Sequence, residues 1–528
     1  MSLAAEPDHT ALHDAVLGIH RAVLEDDSVL AEDNFYDMGG DSILALQVLG
    51  RIERELGVKV PAQAFFTAQS IGDVAERVTA GQSLGTGAAT GRDTAHRGRA
   101  AMAQEWALLS ALRDPQAPLL QFHVVYRVTG PLDTDRLGAA LRQVAQRHES
   151  LRTSFRAAGD SALLTVEPCP EVSLETRDDE GIPDAELDEF LRGYVRRPFD
   201  RSRAPLWRTL TVRREAYVHM LVFVFDHMIA DGWSLDTFAR DLSAAYTAGE
   251  LPAPTAGSGA YAEWAAGQWQ HWESGRQQEL TSYWQSQLPS DAADFGLRLP
   301  GHQGTGELTQ PSSLVLDVAP QTARTLREAS LALRATPYCV SMAVVKALVA
   351  HVTGRPRVTL LTTNANRLDG AYQDTVGWFA NGVFPTTDVD LSGSFRDLVG
   401  AVRESILGAT AHGDMPAMYV RRGIWPQLPA GFRKDPGVYF MYNDVWGSGL
   451  GFGDGVEVSP YHLVEDADSP GLHMWLLREG ETLRLQVLHY ASEYPAACVS
   501  DFAGRLVTAL GLLTGQPDRP LSELLLTL

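Results

Sequence analysis

Apolar residues in the first 80 positions recur at the spacing of an α-helix. Three runs show it: Leu12, Val16, Ile19 and Val23; Ile43, Leu46, Val48, Leu49 and Ile52; and Ile71, Val74, Ala75 and Val78. These runs predict a small helical bundle. Gly39 and Gly40 end the loop before the second run, so the second helix begins at Asp41 or Ser42. We therefore expect an exposed Ser42 hydroxyl near the positive end of the helix dipole.

After residue 99, helical and strand patterns alternate. Residues 122–129 and 217–225 read as apolar strands, and residues 133–150 read as a helix. This alternation predicts mixed α/β structure. Residues 120–240 and 313–410 share an order of strand, helix and long connection, which indicates two related lobes.

The stretch between these two parts, AGQSLGTGAATGRDTAHRG, is rich in Gly, Ala and Thr and has no apolar periodicity. Such a composition is typical of a flexible tether. The predicted divisions are a helical domain at 1–80, a linker at 81–98 and a large domain at 99–528, with lobes at about 99–275 and 276–528.

The chain is strongly acidic, with a net charge of −22. Repulsion from phosphate backbones and anionic membrane surfaces argues against both as main partners. Residues 1–80 carry 14 Asp and Glu against 5 Lys and Arg, so we expect this domain to meet its partners through basic patches.

Targeting and cysteine signals favour the cytoplasm. The three cysteines form no CxxC pair, which fits a reducing compartment and predicts neither a zinc site nor a disulfide framework. The first residues lack a basic segment followed by an apolar one, and no stretch has the roughly 18 apolar residues of a membrane span.

The sequence around Ser42, FYDMGGDSILALQV, resembles the attachment site of acyl and peptidyl carrier proteins. In that family the serine of DxGG(H/D)S receives a 4′-phosphopantetheine arm. The resemblance implies a four-helix carrier domain with the arm on Ser42. A phosphopantetheinyl transferase is then a required partner.

Several segments after Gly98 resemble condensation domains of nonribosomal peptide synthetases, and they occur in that family's order. These are TGPLDTDRLGAALRQVAQRHESLRTSF, RRPFDRSRAPLWR, FDHMIADGWSLDTFARDLSAAY, YAEWAAGQWQHWESG, TVGWFANGVFPTTDVDL and AHGDMP. The resemblance implies two lobes like chloramphenicol acetyltransferase, set in a V around a tunnel. Its activity is amide formation from a carrier-bound donor and an acceptor amine.

The family motif HHxxxDG falls on residues 226–232, where a buried strand runs into a loop and then a helix. The resemblance makes His227 the catalytic or substrate-positioning histidine and Asp231 a structural carboxylate, commonly paired with an arginine. Gly232 is expected to permit a tight turn, and Ser234 to cap the helix.

Two later residues match family positions, and each fits two roles. Arg367 lies where the family often has an arginine after a strand, and it is either the partner of Asp231 or a surface cation. Asn381 matches a position that lines the tunnel, although a turn asparagine before Gly382 has the same sequence. Three aromatic residues, Trp233, Trp378 and Phe379, are expected in the core, and a structural role is expected for His148.

Asp226 departs from the motif, which has histidine there. Its carboxylate either holds the neighbouring imidazole or points to the other face of the strand and pairs with a basic group. We favour the second interpretation.

The same substitution creates the DxxxxDxxS pattern of heterocyclization domains, with Asp226, Asp231 and Ser234. Condensation remains the preferred hypothesis, because RHESLRTSF and His227 match ordinary condensation domains. Heterocyclization and a non-catalytic platform that recruits tailoring enzymes stay open, and an epimerization domain fits less well.

No phosphate loop, metal-spaced cluster, GxSxG motif, adenylation motif or thioesterase motif is visible. An adenylation domain must therefore load the carrier in trans or from a neighbouring module. The product must leave on a downstream acceptor carrier or a free amine.

Overall fold

The computed structural model describes residues 9–528 apart from 25, 36–37, 39–41, 59, 61–63, 66–67, 84–97, 114–119, 169–171, 173, 254–258, 291–297, 304–308, 310, 368, 425–436, 445–446, 448 and 464–470. Most of the predicted linker and Asp37, Gly39, Gly40 and Asp41 of the carrier signature lie outside the described residues.

The first domain packs three described helices around one apolar core. These are α1 (His9–Leu24), α2 (Ser42–Leu56) and α3 (Ile71–Ser83). Where the structure describes their side chains, the predicted periodic positions lie in the core, and Val16, Val48, Ile52 and Val78 are fully buried. The helix begins at Ser42, as predicted, but the Ser42 side chain lies outside the described part of the chain.

The first lobe of the large domain contains, in chain order, α4 (Met102–Arg113), β1 (Gln121–Thr129), α5 (Thr134–Arg147), β2 (Thr153–Ala158), β3 (Ser161–Val166), β4 (Leu174–Asp178), α6 (Asp184–Val195), β5 (Trp207–Glu215), β6 (Val218–Asp226), α7 (Gly232–Ala248), α8 (Tyr261–His271) and α9 (Gln277–Gln287). Strand β6 is buried along its whole length between β1 and β5, which explains its nearly continuous apolar sequence.

The second lobe contains β7 (Pro311–Val318), α10 (Pro320–Ala332), α11 (Pro337–Thr353), β8 (Arg357–Thr359), β9 (Thr362–Asn364), β10 (Asn381–Val383), β11 (Thr386–Asp388), α12 (Phe395–Ala411), α13 (Ala417–Ile424), β12 (Val438–Asp444), β13 (Glu457–Pro460), β14 (Leu472–Glu479), β15 (Thr482–Tyr490), α14 (Ala496–Gly515) and α15 (Leu521–Leu525). A four-stranded sheet in the order β12-β14-β15-β7 packs on α11 and α14 to form its core.

One strand crosses between the lobes. β13 lies within the range predicted for the second lobe, yet it pairs antiparallel with β1 and extends the first sheet to the order β13-β1-β6-β5-β4. Leu450 and Phe452, just before it, also lie in the core of the first lobe. A division of the chain at residue 275 therefore misses this exchange.

Helix α14 is long and apolar enough, by length and composition, to cross a membrane, which the sequence analysis did not anticipate. In the structure, Val499, Leu506, Leu510 and Leu513 of this helix are buried in the core of the second lobe. Packing within the protein accounts for its apolar character.

The carrier domain contacts the large domain through α2. Arg54 of α2 lies 3.2 Å from a carboxylate oxygen of Asp374, and Trp233 and Ala365 pack against the carrier core. At this ion pair the cation lies on the first domain and the carboxylate on the large domain, the reverse of the predicted basic patch on the partner. Along this part of α2, Arg51 and Arg54 are interleaved with Glu53 and Glu55, so the stretch carries both signs of charge.

Candidate active site

His227 lies immediately after the buried strand β6. Its backbone N–H donates to the carbonyl of Leu120 at 2.7 Å, which fixes the residue beside the start of β1. The imidazole is half-buried, with ring-centroid distances of 5.2 Å to Phe122 and 4.7 Å to Trp378. The Nδ1 atom of the ring is buried.

Asp226 points to the opposite face of β6, where it pairs with Arg201. The Arg201 Nε donates to Oδ2 at 2.8 Å, and the backbone N–H of Met228 donates to Oδ1 at 2.9 Å. Both side chains of the pair are largely buried. The favoured interpretation, a carboxylate that turns away and meets a basic group, agrees with this geometry.

Asp231 caps α7. Its backbone is extended, and its Oδ1 accepts the backbone N–H of Ser234 at 2.9 Å. The prediction that Ser234 caps this helix is therefore wrong, because Ser234 is already inside the first turn. Gly232 is the first helical residue, so its position does not require the backbone freedom of glycine.

The other Asp231 oxygen connects the motif to a distant segment. Oδ2 accepts the backbone N–H groups of Phe379 and Ala380, each at 3.0 Å. Burial opposes ionisation of this carboxyl group, but the Arg367 charge and the hydrogen bonds from Ser234 and Ala380 outweigh it and hold its pKa below the usual value. The loop after His227 is thus fixed to residues 379–380.

Arg367 is fully buried and is no surface cation. Its Nη2 donates to Asp231 Oδ1 and to Ser234 Oγ, each at 3.0 Å. Its Nη1 donates to the carbonyls of Tyr372 at 2.8 Å and Thr375 at 2.6 Å. This one guanidinium therefore holds the motif loop and the segment that leads to Trp378.

The DxxxxDxxS residues are all engaged by structural partners. Ser234 Oγ lies 2.7 Å from Asp231 Oδ1 and 2.8 Å from the Gly377 carbonyl oxygen, two acceptors for its single proton, and it accepts from Arg367. Asp226 faces Arg201 instead, on the other side of the strand. The pattern does not bring its three polar groups together at one point.

Asn381 is the first residue of β10, so its interpretation as a turn residue is wrong. Its Nδ2 donates to the carbonyls of Gly413 at 2.6 Å and Met415 at 2.8 Å, and its Oδ1 accepts from Ala417 N–H at 3.0 Å. The side chain is buried and holds the loop that contains AHGDMP.

His148 has the structural role that the sequence analysis expected. It is buried, and its Nε2 lies 3.0 Å from Oδ2 of Asp241. Burial lowers the pKa of His148, against the opposing effect of Asp241.

Sequence reasoning missed two neighbours of the motif. Trp378 was expected in the core, but it is only partly buried and contacts His227. Arg201 was not singled out as the partner of Asp226, although it follows the PFD segment that carried part of the resemblance. Tyr261 supports Trp378 by donating from its hydroxyl to the Trp378 carbonyl at 2.8 Å.

The start of α2 fits a phosphopantetheine group. Ser42 provides a hydroxyl-bearing residue at the first helical position, and a phosphodiester anion is favoured beside a helix N-terminus. Ser42 would hold the group through its oxygen.

Two family models match the chain. The condensation domain model matches residues 101–427, more than half of the chain. The model of the phosphopantetheine attachment site matches residues 14–78. The predicted order of a carrier domain and then a condensation domain is confirmed.

The chain is also similar to known synthetases and to solved structures of condensation-type domains. Surfactin synthase subunit 2 of Bacillus subtilis (strain 168) is 25% identical over 523 residues, which cover 98% of this chain but only 14% of that protein. The X-domain from teicoplanin biosynthesis has a TM-score of 0.69 at 22% identity, covering 83% of this chain and 98% of its own. The first condensation domain of the calcium-dependent antibiotic synthetase has a TM-score of 0.68 at 21% identity, covering 82% and 99%. The predicted fold class is confirmed.

Proposed function

The chain belongs to the condensation domain family, with a phosphopantetheine attachment-site domain ahead of the condensation domain. From this premise, we propose that it is a carrier–condensation didomain of a nonribosomal peptide synthetase that joins a carrier-bound acyl or aminoacyl donor to an acceptor amine. The proposed domains are 1–80 and 99–528, joined by the linker 81–98.

The observation that carries the proposal is the placement of His227. Its ring is half-buried between Phe122 and Trp378, on a loop fixed by the buried pair of Asp231 and Arg367. A side chain held in this way meets a reactant with little loss of freedom.

An arm on Ser42 would supply the donor carbonyl as a thioester. The acceptor amine forms a C–N bond to that carbonyl, and the C–S bond breaks. His227 Nε2 accepts the proton that the amine loses and returns it to the leaving thiolate. An imidazole suits this transfer because it titrates near neutral pH.

Heterocyclization is the less favoured alternative. Its pattern needs Asp226 and Ser234 in addition to Asp231, and here Asp226 pairs with Arg201 while Ser234 binds Asp231 and Arg367. These structural contacts give both residues a reason to be present without cyclodehydration.

The proposal includes partners outside this chain: a phosphopantetheinyl transferase, an adenylation domain that loads the carrier, and a downstream acceptor carrier or free amine. A cytoplasmic location belongs to the same proposal, because Cys339 and Cys498 are free thiols that suit a reducing compartment.

The test loads Ser42 with a simple acyl-pantetheine, adds candidate acceptor amines and follows transfer by intact-protein mass spectrometry. We expect His227→Ala to abolish transfer. His462→Ala is the matched control, since His462 follows β13, is about half-exposed and has its Nε2 3.5 Å from Glu479 Oε2. Transfer that survives His227→Ala contradicts the role of that histidine.

Product mass separates the remaining alternatives. An amide that retains every atom except the departing thiol supports condensation. A product lighter by one water supports heterocyclization, and no transfer to any amine supports a platform that recruits other enzymes.

A further inference from the structure

The surface that receives carrier helix α2 is built from the segment that also contacts His227. We propose that the turn Gly370–Asp374 is a docking element for the carrier of this same chain, and that Arg367 couples its occupancy to the loop that carries His227. This inference deepens the proposed function and rests on it, because it describes how the donor carrier is held and sensed.

The turn and helix α2 approach each other most closely at two glycines. Gly370 lies in a 3-10 turn, and Gly50 lies in the middle of α2. A Cβ added at Gly370 would lie 2.1 Å from the Gly50 carbonyl oxygen and 3.0 Å from its Cα. These contacts are with backbone, which cannot rotate away. The two main chains therefore approach as closely as only glycine allows.

Charged and apolar contacts surround these two glycines. Asp374 accepts from Arg54 of the carrier at 3.2 Å and from Arg240 of α7 at 3.0 Å, so it lies between two cations. Trp233 packs against the carrier core, and its indole N–H donates to the Gln373 carbonyl at 3.0 Å. The surface that faces α2 therefore carries both signs of charge, from Asp374 and Arg240, and an aromatic ring, Trp233.

Arg367 connects the turn to the loop that carries His227. Arg367 binds the carbonyl of Tyr372 in the docking element and that of Thr375 just after it, and with its other nitrogen it binds Asp231. The same segment continues to Trp378, which contacts His227. Displacement of the turn therefore moves carbonyl groups that Arg367 binds. Through Arg367, it disturbs Asp231 on the loop after His227 and Trp378 beside the imidazole.

The test uses the full chain and the variant Gly370→Ala. Alanine is allowed in a 3-10 turn, so the change acts through the clash with Gly50. Gly193→Ala is the matched control, because a Cβ there, in α6, has no heavy atom within 4 Å. Arg54→Glu is a second variant, which replaces the attraction to Asp374 by repulsion from the carrier side.

Small-angle X-ray scattering measures docking, and hydrogen exchange followed by mass spectrometry measures coupling. We expect both variants to increase the radius of gyration. Exchange at the amides of Phe379 and Ala380, which bind Asp231, should become faster by on the order of three- to tenfold. Gly193→Ala should change neither quantity.

Each outcome bears on a separate part of the proposal. An unchanged radius of gyration in both variants overturns the docking element. A larger radius with unchanged exchange at residues 379–380 overturns the coupling. Neither measurement needs acyl transfer, so if the variants undock as expected while the unaltered chain transfers nothing, this inference stands and the proposed amide formation is refuted.

Discussion

Asp226 and Asp231, on either side of His227, each form a buried ion pair with an arginine, but the two pairs connect different parts of the chain. Asp226 binds Arg201, which is 25 residues away in the same lobe. Asp231 binds Arg367, 136 residues away, and also the backbone of residues 379 and 380. The first pair finishes the end of one strand, whereas the second joins distant parts of the chain beside the proposed catalytic histidine.

This difference explains why one motif position tolerates a departure from the family pattern. Asp226 can satisfy its charge locally because Arg201 lies on the same side of the sheet. Asp231 instead binds groups that are distant in the chain, since its two oxygens accept from Arg367, Phe379 and Ala380 in a fully buried position. The comparison therefore predicts unequal consequences when the pairs are broken.

The largest effect is expected when Arg367 is replaced. Arg367→Met leaves Asp231 buried without its counter-charge, which should lower the free energy of unfolding by about 3–5 kcal/mol. Acyl transfer should also be lost, because Trp378 and the loop after His227 lose their common support. Urea unfolding and the transfer assay measure both effects.

Arg396→Met is the control for that change. Arg396 pairs with Asp518 on the surface, where both side chains are well exposed, so stability and transfer should stay unchanged. A similar loss in the two variants would show that burial of the Arg367 pair is not the cause.

Lys346 is a buried cation that has no carboxylate among its described contacts, unlike Arg201 and Arg367. Lys346 Nζ donates to the Pro385 carbonyl and to Thr387 Oγ1, and burial lowers its pKa to about 7. Between about pH 7 and 10.5 the unfolded chain binds more protons than the folded one at this residue, so stability rises with pH. The free energy of unfolding of the wild type should therefore rise by about 2–3 kcal/mol from pH 7 to pH 9, after subtraction of any change that Lys346→Met shows over the same range.

The measurement is urea unfolding of both proteins at several pH values. Parallel profiles for the wild type and Lys346→Met would mean that Lys346 keeps an ordinary affinity for its proton in the folded state. A difference confined to pH below 6 would contradict the direction of the shift.

The smallest effect is expected at Asp226. Asp226→His breaks the local pair with Arg201 and should lower the free energy of unfolding by about 1–3 kcal/mol. Transfer should remain within a few-fold of the wild type, because the contacts of Asp231 and Trp378 with the His227 loop persist. Arg203→Met is the control, since Arg203 is highly exposed.

A complete loss of transfer in Asp226→His at unchanged stability would break the comparison, because it would give Asp226 a direct part in the chemistry. Loss of a dehydrated product in that variant would instead support heterocyclization.

The sequence by itself determined the local features of this protein. Periodicity located the carrier helices and the buried strand before His227, because side chains repeat every 3.6 residues in a helix and alternate in a strand. The carrier and condensation motifs located Ser42, His227 and Asp231. Alternation along β6 was also enough to expect that Asp226 and His227 point in different directions.

Which distant groups meet depends on the packing of whole elements. The sequence left Arg367 open between a surface cation and the partner of Asp231, and it placed Trp378 in the core. It gave no sign that β13 joins the first sheet or that Gly50 faces Gly370. Each of these contacts joins residues far apart along the chain, and their choice depends on how whole elements pack rather than on the pattern around either residue.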